Sequence, residues 1–541
     1  MILNAAYSLL EGVRQRRASL SLPKTALLLW ILAGLVAAAI LLPIVYLFIR
    51  ALGADHQAWA LALHPNTLRT LLRTVLLALA VTVASAALAV PLAWLTLRTD
   101  LPQQRLWAVL TALPLVIPSY VGAYLVVASL GPRGMLARWL SEGFGVSGLP
   151  SIYGFPGALF ILTLLSYPYI LLSVRAALLG MDPALEEAAR SLGCSPWSTF
   201  WRVTLPQLRP ALAAGSLLVA LYVLRDFGAV TILRYDTFTR VIYLQYRSSF
   251  DRSGAAVLSL LLVALTLAIL ALDRWSRGRI RYNSPSNARL HRLPVTRLGR
   301  WRWPALAFCG LVVLLGLVIP SGVLLYWLVR GWQMGERIAA AWPATWNSLL
   351  ASALAAGAAV LAALPVVVLS VRRPGRWSFL LERLSYVGFA LPGIVIALAL
   401  VYFGANYALP LYQTLPMLIL AYVILFLPQA VGALRASLLQ VPPILEEAAR
   451  GLGRRPAQVF LAITLPLVKP GVLAGAGLVF LTTMKELPAT LILSPLGFKT
   501  LSMSVWTEVS EAFFARAAFP ALILILVTSL PMAFLVSKER K

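Results

Sequence analysis

The chain has 541 residues, 60% of them hydrophobic, and a formal charge of +27. That apolar content exceeds what a soluble core of this length needs and excludes a soluble globular protein. The positive charge would suggest nucleic acid in a soluble protein, but here it falls between apolar runs, as the Arg/Lys bias of cytoplasmic loops does, so no nucleic-acid partner is expected.

The first run, Ala26 to Ile49, is long enough to cross a bilayer and too long for a signal-peptide core. Arg14, Arg16, Arg17 and Lys24 precede it and place the N-terminus in the cytoplasm. Further spans are predicted at Val75 to Thr96, Leu106 to Leu130, Gly157 to Val174, Ala211 to Leu233 and Ala255 to Leu272. A basic stretch follows, with Arg274, Arg277, Arg279, Arg281, Arg289, Arg292, Arg297, Arg300 and Arg302 against Asp273 alone, and with Pro285 and Pro294. It reads as a cytoplasmic linker. The second half offers Ala305 to Val329, Leu349 to Val371, Leu384 to Phe403, Met417 to Ala433, Gly471 to Leu493 and Phe519 to Val536.

The expected fold is therefore an all-α polytopic membrane protein of about twelve transmembrane helices, multi-pass, with both termini cytoplasmic. Its expected parts are 1–66 (N-terminus, first helix and outer loop), 67–272 (first repeat domain), 273–303 (basic linker), 304–344 (seventh helix and outer loop) and 345–541 (second repeat domain).

The halves are internal repeats. Leu185-Glu-Glu-Ala-Ala-Arg-Ser-Leu-Gly193 returns as Leu445-Glu-Glu-Ala-Ala-Arg-Gly-Leu-Gly453, 260 residues later (447 − 187 = 260), and Thr204-Leu-Pro206 returns as Thr464-Leu-Pro466. Pro91 pairs with Pro365, and Ile117-Pro118 with Leu391-Pro392, at an offset of 274. The surplus of 14 residues (274 − 260 = 14) belongs to the first half, around Gly131 to Pro156. Six spans per half give both copies one orientation, so the halves are parallel repeats about an axis along the membrane normal, with the pathway between them.

In the first repeated loop Asp182 can cap a helix with Pro183 at its first position, Glu186 and Glu187 favour the positive end of its dipole, and Gly193 can end it. Leu185, Ala188 and Leu192 recur on one face; Pro443, Leu445, Ala448 and Leu452 repeat the design without the Asp. The candidate docking residues are Glu186, Glu187, Ala188, Ala189 and Gly193, with Glu446, Glu447, Ala448, Ala449 and Gly453. A second duplicated feature is a cation followed by an acid: Arg225-Asp226 before Phe227-Gly228, and Lys485-Glu486 before Leu487-Pro488. Charges at this depth normally face a bundle interior or a watery cavity, which makes all four pathway candidates, and a structural ion pair is the competing reading. Gly228 and Pro488 can interrupt the helix there.

The chain has no G-x-x-x-x-G-K-[ST] loop, and His56, His64 and His291 form no ligand spacing. Cys194 and Cys309 suit neither a disulfide nor a zinc site. No catalytic residue, firm metal site or bound cofactor is expected.

The repeated loop, with Glu-Ala-Ala, three residues, Gly and a later Leu-Pro, resembles the EAA loop of bacterial ABC importer permeases. Arg225-Asp-Phe-Gly-Ala-Val, Leu233-Arg-Tyr-Asp-Thr-Phe-Thr-Arg240, Ile242-Tyr-Leu-Gln-Tyr246, Lys485-Glu-Leu-Pro-Ala-Thr490 and Gly497-Phe-Lys-Thr-Leu501 resemble the fused, double-length permeases of iron(III) importers. The resemblance implies a type I ABC importer permease fold in the bacterial inner membrane. It also implies two cytoplasmic ATPase subunits that carry ATP and Mg, a periplasmic binding protein that delivers ferric ion, and alternating access. Thiamine, polyamine and phosphonate permeases share the loop and stay open as alternatives, as does a secondary transporter. Asp226, Glu486, Tyr243 and Tyr246 offer the hard oxygen donors that Fe(III) prefers.

Overall fold

A computed structural model of the chain describes residues 24–538 except 133, 136–141, 144–150, 183, 249–252, 278–294, 337–340 and 390. Helices account for the secondary structure of these residues, apart from an isolated parallel bridge between Thr99 and Thr296. An apolar run in hydrocarbon must satisfy its own backbone, and the helix does so within one segment. Among the described residues nine helices are long and apolar enough to cross a membrane, or up to 11 if each of two bent pairs is one span.

In the first half these elements are α1 (Lys24–Leu52), α2 (Pro65–Arg98), the bent pair α3 (Gln104–Leu110) and α4 (Ser119–Leu130), α5 (Phe155–Gly180), the short loop helix α6 (Ala184–Ser191), α7 (Leu205–Arg225), α8 (Gly228–Ile232), α9 (Phe238–Ser248) and α10 (Ser253–Arg277). The second half follows with α11 (Arg302–Val313), α12 (Ile319–Gln333), α13 (Trp342–Arg372), the bent pair α14 (Arg376–Ser385) and α15 (Gly393–Tyr407), α16 (Leu415–Leu439), the loop helix α17 (Pro443–Gly451), α18 (Leu465–Met484), α19 (Pro488–Leu493), α20 (Leu501–Ser510) and α21 (Phe514–Lys538). The apolar stretch of α21, Phe514–Ser529, is shorter than the others and takes the twelfth expected position.

Two spans expected to be continuous are not. Leu106 to Leu130 is bent by 94°, and Leu384 to Phe403 is divided between the separate helices α14 and α15. Proline is the cause: it lacks an N–H and forces the residue before it out of the helical region. Ile117 is extended at ψ 121, and Pro118 and Pro392 share φ −62 and ψ 146. The predicted interruptions after Arg225 and Lys485 do occur, since α8 and α19 start as separate helices at Gly228 and Pro488. The helix starts Phe155 and Leu415 are already 260 apart (415 − 155 = 260), whereas Pro118 and Pro392 are 274 apart, so the surplus residues fall before Phe155, within the expected stretch. Most of that stretch lies outside the described residues, as do Pro183 and the linker residues Arg279, Arg281, Arg289 and Arg292.

Past the linker the chain is tied to the end of α2. Thr296 donates its N–H to the Arg98 carbonyl at 2.8 Å and accepts from the Asp100 N–H, and Leu298 N–H bonds the Asp100 carboxylate.

The described chain divides into two compact units, each drawing on both halves of the sequence. One comprises residues 24–42, 353–388 and 422–480; within it Ala33 of α1 packs on Val366 and Leu369 of α13. The other comprises 43–352, 389–421 and 481–538. There Gly316, between α11 and α12, closes on Pro114 at the first bend, and the Tyr124 hydroxyl donates to the Phe514 carbonyl at 2.8 Å.

Candidate functional site

The two loop helices are held by one device used twice. In the first copy Glu186 turns inward: its carboxylate lies 3.4 Å from Arg98 Nη1 at the end of α2 and accepts from Thr204 Oγ1 at 2.8 Å. In the second, Glu446 accepts from Arg372 Nη2 at 2.9 Å and Nε at 3.1 Å, and from Thr464 Oγ1 at 3.0 Å. Arg372 also holds the Val441 carbonyl. Each Thr is delivered by a π-helical turn, Phe200–Thr204 or Phe460–Thr464, which precedes the Leu-Pro that opens the next long helix. Charge-assisted bonds to a half-buried carboxylate are among the stronger polar contacts a protein makes.

The ten predicted docking residues therefore separate by direction. Glu186 and Glu446 point into the protein's own bundle, and Ala449 is buried. Glu187, Ala188, Glu447 and Ala448 face outward. Around them the apolar side chains Leu185, Leu192, Leu445 and Leu452 are exposed, Leu192 and Leu452 at 86% each. Gly193 and Gly453 end the helices at φ +88 and +84. The six-residue and four-residue closures of a Schellman cap are made in both copies, from Cys194 N–H to the Ala189 carbonyl and Gly193 N–H to Arg190, then Arg454 to Ala449 and Gly453 to Arg450. Asp182 caps the first helix through the Ala184 N–H at 3.0 Å, and Pro442 stands at that place in the second. Arg98, Arg372, Thr204 and Thr464 were not among the predicted site residues; their signal was that each is duplicated at the repeat offset.

The second duplicated feature lies at the other end of α7 and α18. Both acids act as helix caps. Asp226 Oδ1 accepts from the Ala229 and Val230 N–H groups at 3.0 and 3.2 Å, and Glu486 Oε1 accepts from the Ala489 N–H at 3.2 Å. Ser119 stands beside Asp226 and favours its charged form. At the equivalent place in the second half stands Gly393 (393 − 119 = 274), and a Cβ there would lie 2.3 Å from Glu486 Oε1. The extra methylene of Glu486 thus uses room left by the missing side chain.

The cations reach the bends of the opposite halves. Lys485 Nζ donates to the Leu115 carbonyl at 3.1 Å, beside Pro118. Arg225 stands over the ring of Phe389, 6.0 Å from its centroid, and Phe389 is the repeat counterpart of Leu115 (389 − 115 = 274). Arg225 also interacts electrostatically with Glu486, and its guanidinium makes no hydrogen bond or ion pair among the described residues. Tyr243 packs edge-on against Phe227, and Tyr246 lines a small cavity with Tyr46, Arg50 and Tyr402. Among the described residues no cluster of three His, Cys, Asp or Glu could hold a metal ion.

Residues 101–282 and 355–540 each match the family described as the binding-protein-dependent transport system inner membrane component. The chain is 37% identical over 516 residues to the Fe(3+)-transport system permease protein FbpB 2 of Haemophilus influenzae, covering 94% of this chain and 97% of that protein. It is 26% identical over 438 residues to the ferric transport system permease protein FbpB of Actinobacillus pleuropneumoniae, covering 77% and 64%. Over 189 residues it is 32% identical to the molybdenum transport system permease protein ModB of Escherichia coli, covering 34% of this chain and 81% of that one.

Proposed function

We infer the function from one premise: the chain belongs to the family of inner membrane components of binding-protein-dependent transport systems. It is a multi-pass membrane protein, a double-length permease of the ABC importer class, and its relatives are transport components rather than enzymes. Its cargo is ferric ion, delivered by a periplasmic binding protein. The observation that carries this reading is the likeness, across both halves, to a protein named for Fe(3+) transport.

Two ATPase subunits dock on the duplicated helices, where Leu185, Ala188 and Leu192, and Leu445, Ala448 and Leu452, present small and apolar surface. Those subunits hold ATP and Mg, the termini lie on their side, and the membrane is the bacterial inner membrane. Movement of a docked helix passes through Glu186 to Arg98 on α2 and to Thr204 at the head of α7. The 21 residues of α7 then carry it about 30 Å to Arg225 and Asp226. The second copy runs from Glu446 through Thr464 and α18 to Lys485 and Glu486. Because each cation meets the bend of the opposite half, a shift of α7 or α18 reaches both broken helices, which gives alternating access a path through bonded residues.

The test is uptake by vesicles reconstituted with the permease, its ATPase and its binding protein, offered radioiron, thiamine, a polyamine and a phosphonate. ATP-dependent accumulation of iron alone is expected. Accumulation of an organic substrate instead overturns the cargo, and uptake without ATP makes the chain a secondary transporter.

A further inference from the structure

Beside α4 the bundle leaves a space. A cavity of about 710 Å³ lies between Leu125 and Val126 of α4, Phe160 and Ile161 of α5 and Val323 of α12. That is within the size of sites that hold small molecules, roughly 300–1,000 Å³. It sits at the end of α5 away from the loop helix α6, and two residues of its wall, Ile319 and Tyr326, are 42% and 40% exposed. The cavity therefore opens on the flank of the bundle, among the exposed apolar side chains Val318, Leu325 and Val329. In a bilayer such a flank meets hydrocarbon rather than water. Along α12 and the turn before it the wall runs from Leu315 to Arg330, about 22 Å of helical rise. This is the depth of one leaflet with its headgroups, about 20–22 Å.

The wall turns polar where a headgroup would lie. Arg330 donates to the Tyr326 hydroxyl at 2.8 Å, lies 5.7 Å from the centroid of the Trp327 ring, and has no other hydrogen-bond partner among the described residues. Tyr and Trp beside an arginine mark the headgroup level. Glu142 stands exposed at the rim. The repeat supplies the comparison. Tyr46-Leu-Phe-Ile-Arg50 of α1 is matched by Tyr326-Trp-Leu-Val-Arg330, 280 residues on (330 − 50 = 280), but Arg50 stands over the ring of Tyr402 at 5.6 Å and the space beside it is only about 30 Å³. The first-half counterpart of Tyr402 is Ala128 (402 − 274 = 128), so α4 brings no ring to that position.

We propose that this cavity holds one phospholipid with a zwitterionic headgroup, its acyl chains between α4, α5 and α12, its phosphate on Arg330 and its ammonium at Glu142. Guanidinium and phosphate form strong charge-assisted bonds, and chains that fill the space give its apolar wall the contacts it otherwise lacks. The lipid braces α4, the half of the first broken span that starts at Ser119, against α12. The inference does not depend on the cargo.

The experiment uses the purified full chain in detergent, stripped of loose lipid and titrated with phosphatidylethanolamine or phosphatidylglycerol, with bound lipid counted by native mass spectrometry. One phosphatidylethanolamine per chain is expected to stay, in preference to phosphatidylglycerol. Arg330→Gln should weaken its retention by about tenfold or more, the size of a lost charge-assisted contact, and Arg330→Lys should retain most of it. Val323→Trp, which fills the cavity from its own wall, should abolish retention, and Glu142→Gln should remove the preference between the two lipids. Wild-type protein that keeps no phospholipid, or a folded Val323→Trp protein that keeps as much as wild type, overturns the site. Equal binding of the two lipids by wild type overturns the place given to the ammonium. The wild-type count and preference need no variant, so a substitution that fails to fold cannot decide the outcome.

Discussion

Lys485, in the second half, donates a hydrogen bond to the carbonyl of Leu115, in the first, across 370 positions of sequence. The reason is local to Leu115. Its carbonyl would accept the N–H three residues on, and that residue is Pro118, which has none. The lysine satisfies an acceptor that the bend orphans. Lys485→Met should therefore lower stability by about 1–3 kcal/mol, the cost of a lost bond to a buried carbonyl. Arg225→Met, which gives up only a ring-face contact and the field of Glu486, should cost less, about 0.5–1 kcal/mol. Thermal unfolding of the purified protein in detergent measures both, and the reverse order refutes the satisfaction argument.

The inward glutamates give a second expectation. Glu446 has three bonds of 2.9 to 3.1 Å, while Glu186 has a 3.4 Å ion pair and one short bond from Thr204. A double-mutant cycle between Glu446→Gln and Arg372→Gln should give a coupling of about 1–3 kcal/mol, and the cycle between Glu186 and Arg98 a smaller one. Equal couplings, read from thermal stability, would contradict the difference in geometry. Both glutamine variants should still bind the ATPase while transport per ATP falls, because the exposed face is untouched and only its tether is loosened.

Much of this arrangement was legible in the repeat. The Gly193 and Gly453 ends, the Asp182 cap and the interruptions at Gly228 and Pro488 follow from residue types with strong local preferences, and all five are where the sequence placed them. The bends at Pro118 and Pro392 were marked by the same duplication yet read as continuous spans, because hydropathy is indifferent to direction. What sequence reasoning missed is long-range. The partners of Glu186 and Glu446 come from helices 88 and 74 residues earlier (186 − 98 = 88; 446 − 372 = 74), and no local pattern announces such a contact. Their duplication is visible, but an arginine at the end of an apolar span is ordinary flanking charge. The pathway role of the four bend charges was likewise argued from depth alone, while the geometry divides them into capping acids and reaching cations.

The loop glycines allow a clean test, since nothing lies within 4 Å of a Cβ built on Gly193 or Gly453. Any effect of substitution is then one of backbone conformation. Leu at both sites should cost about 1–2 kcal/mol per site at positive φ and displace the docking face, lowering uptake and ATPase stimulation. Asn, which tolerates this conformation, should retain most of both. Equal activity of the Leu and Asn proteins would show that the caps do not position the helices.

Orientation can be read from a native residue. Cys194, just after Gly193, is partly exposed, and Cys309 is buried, so a membrane-impermeant maleimide should modify the first alone. Labelling is expected in inside-out vesicles and not in intact cells, and bound ATPase should slow it by covering the neighbouring Leu192. Reaction from the outside of intact cells would invert the proposed topology.

The two halves also contain a ready-made compensating pair. Ser119 with Asp226, and Gly393 with Glu486, are alternative solutions to one problem: a carboxylate must reach the first N–H groups of the helix that follows the charged pair. The shorter acid stands with the residue that has a side chain, and the longer acid with the residue that has none. Gly393→Ser alone should drive its Cβ into Glu486 Oε1, where only 2.3 Å is available, and either displace the cap or strain α15. Overpacking of this kind costs about 1–3 kcal/mol. Adding Glu486→Asp removes the collision and recreates the first-half arrangement, so the double variant should recover most of the lost stability and uptake. The control is Glu486→Asp alone, which leaves a gap and a cap that falls short of Ala489, and should cost about 1 kcal/mol by itself. Recovery in the double variant beyond the sum of the single effects, measured by thermal unfolding and by iron uptake, is the expected result. Additive losses would mean that Gly393 and Glu486 do not share the space the geometry assigns them.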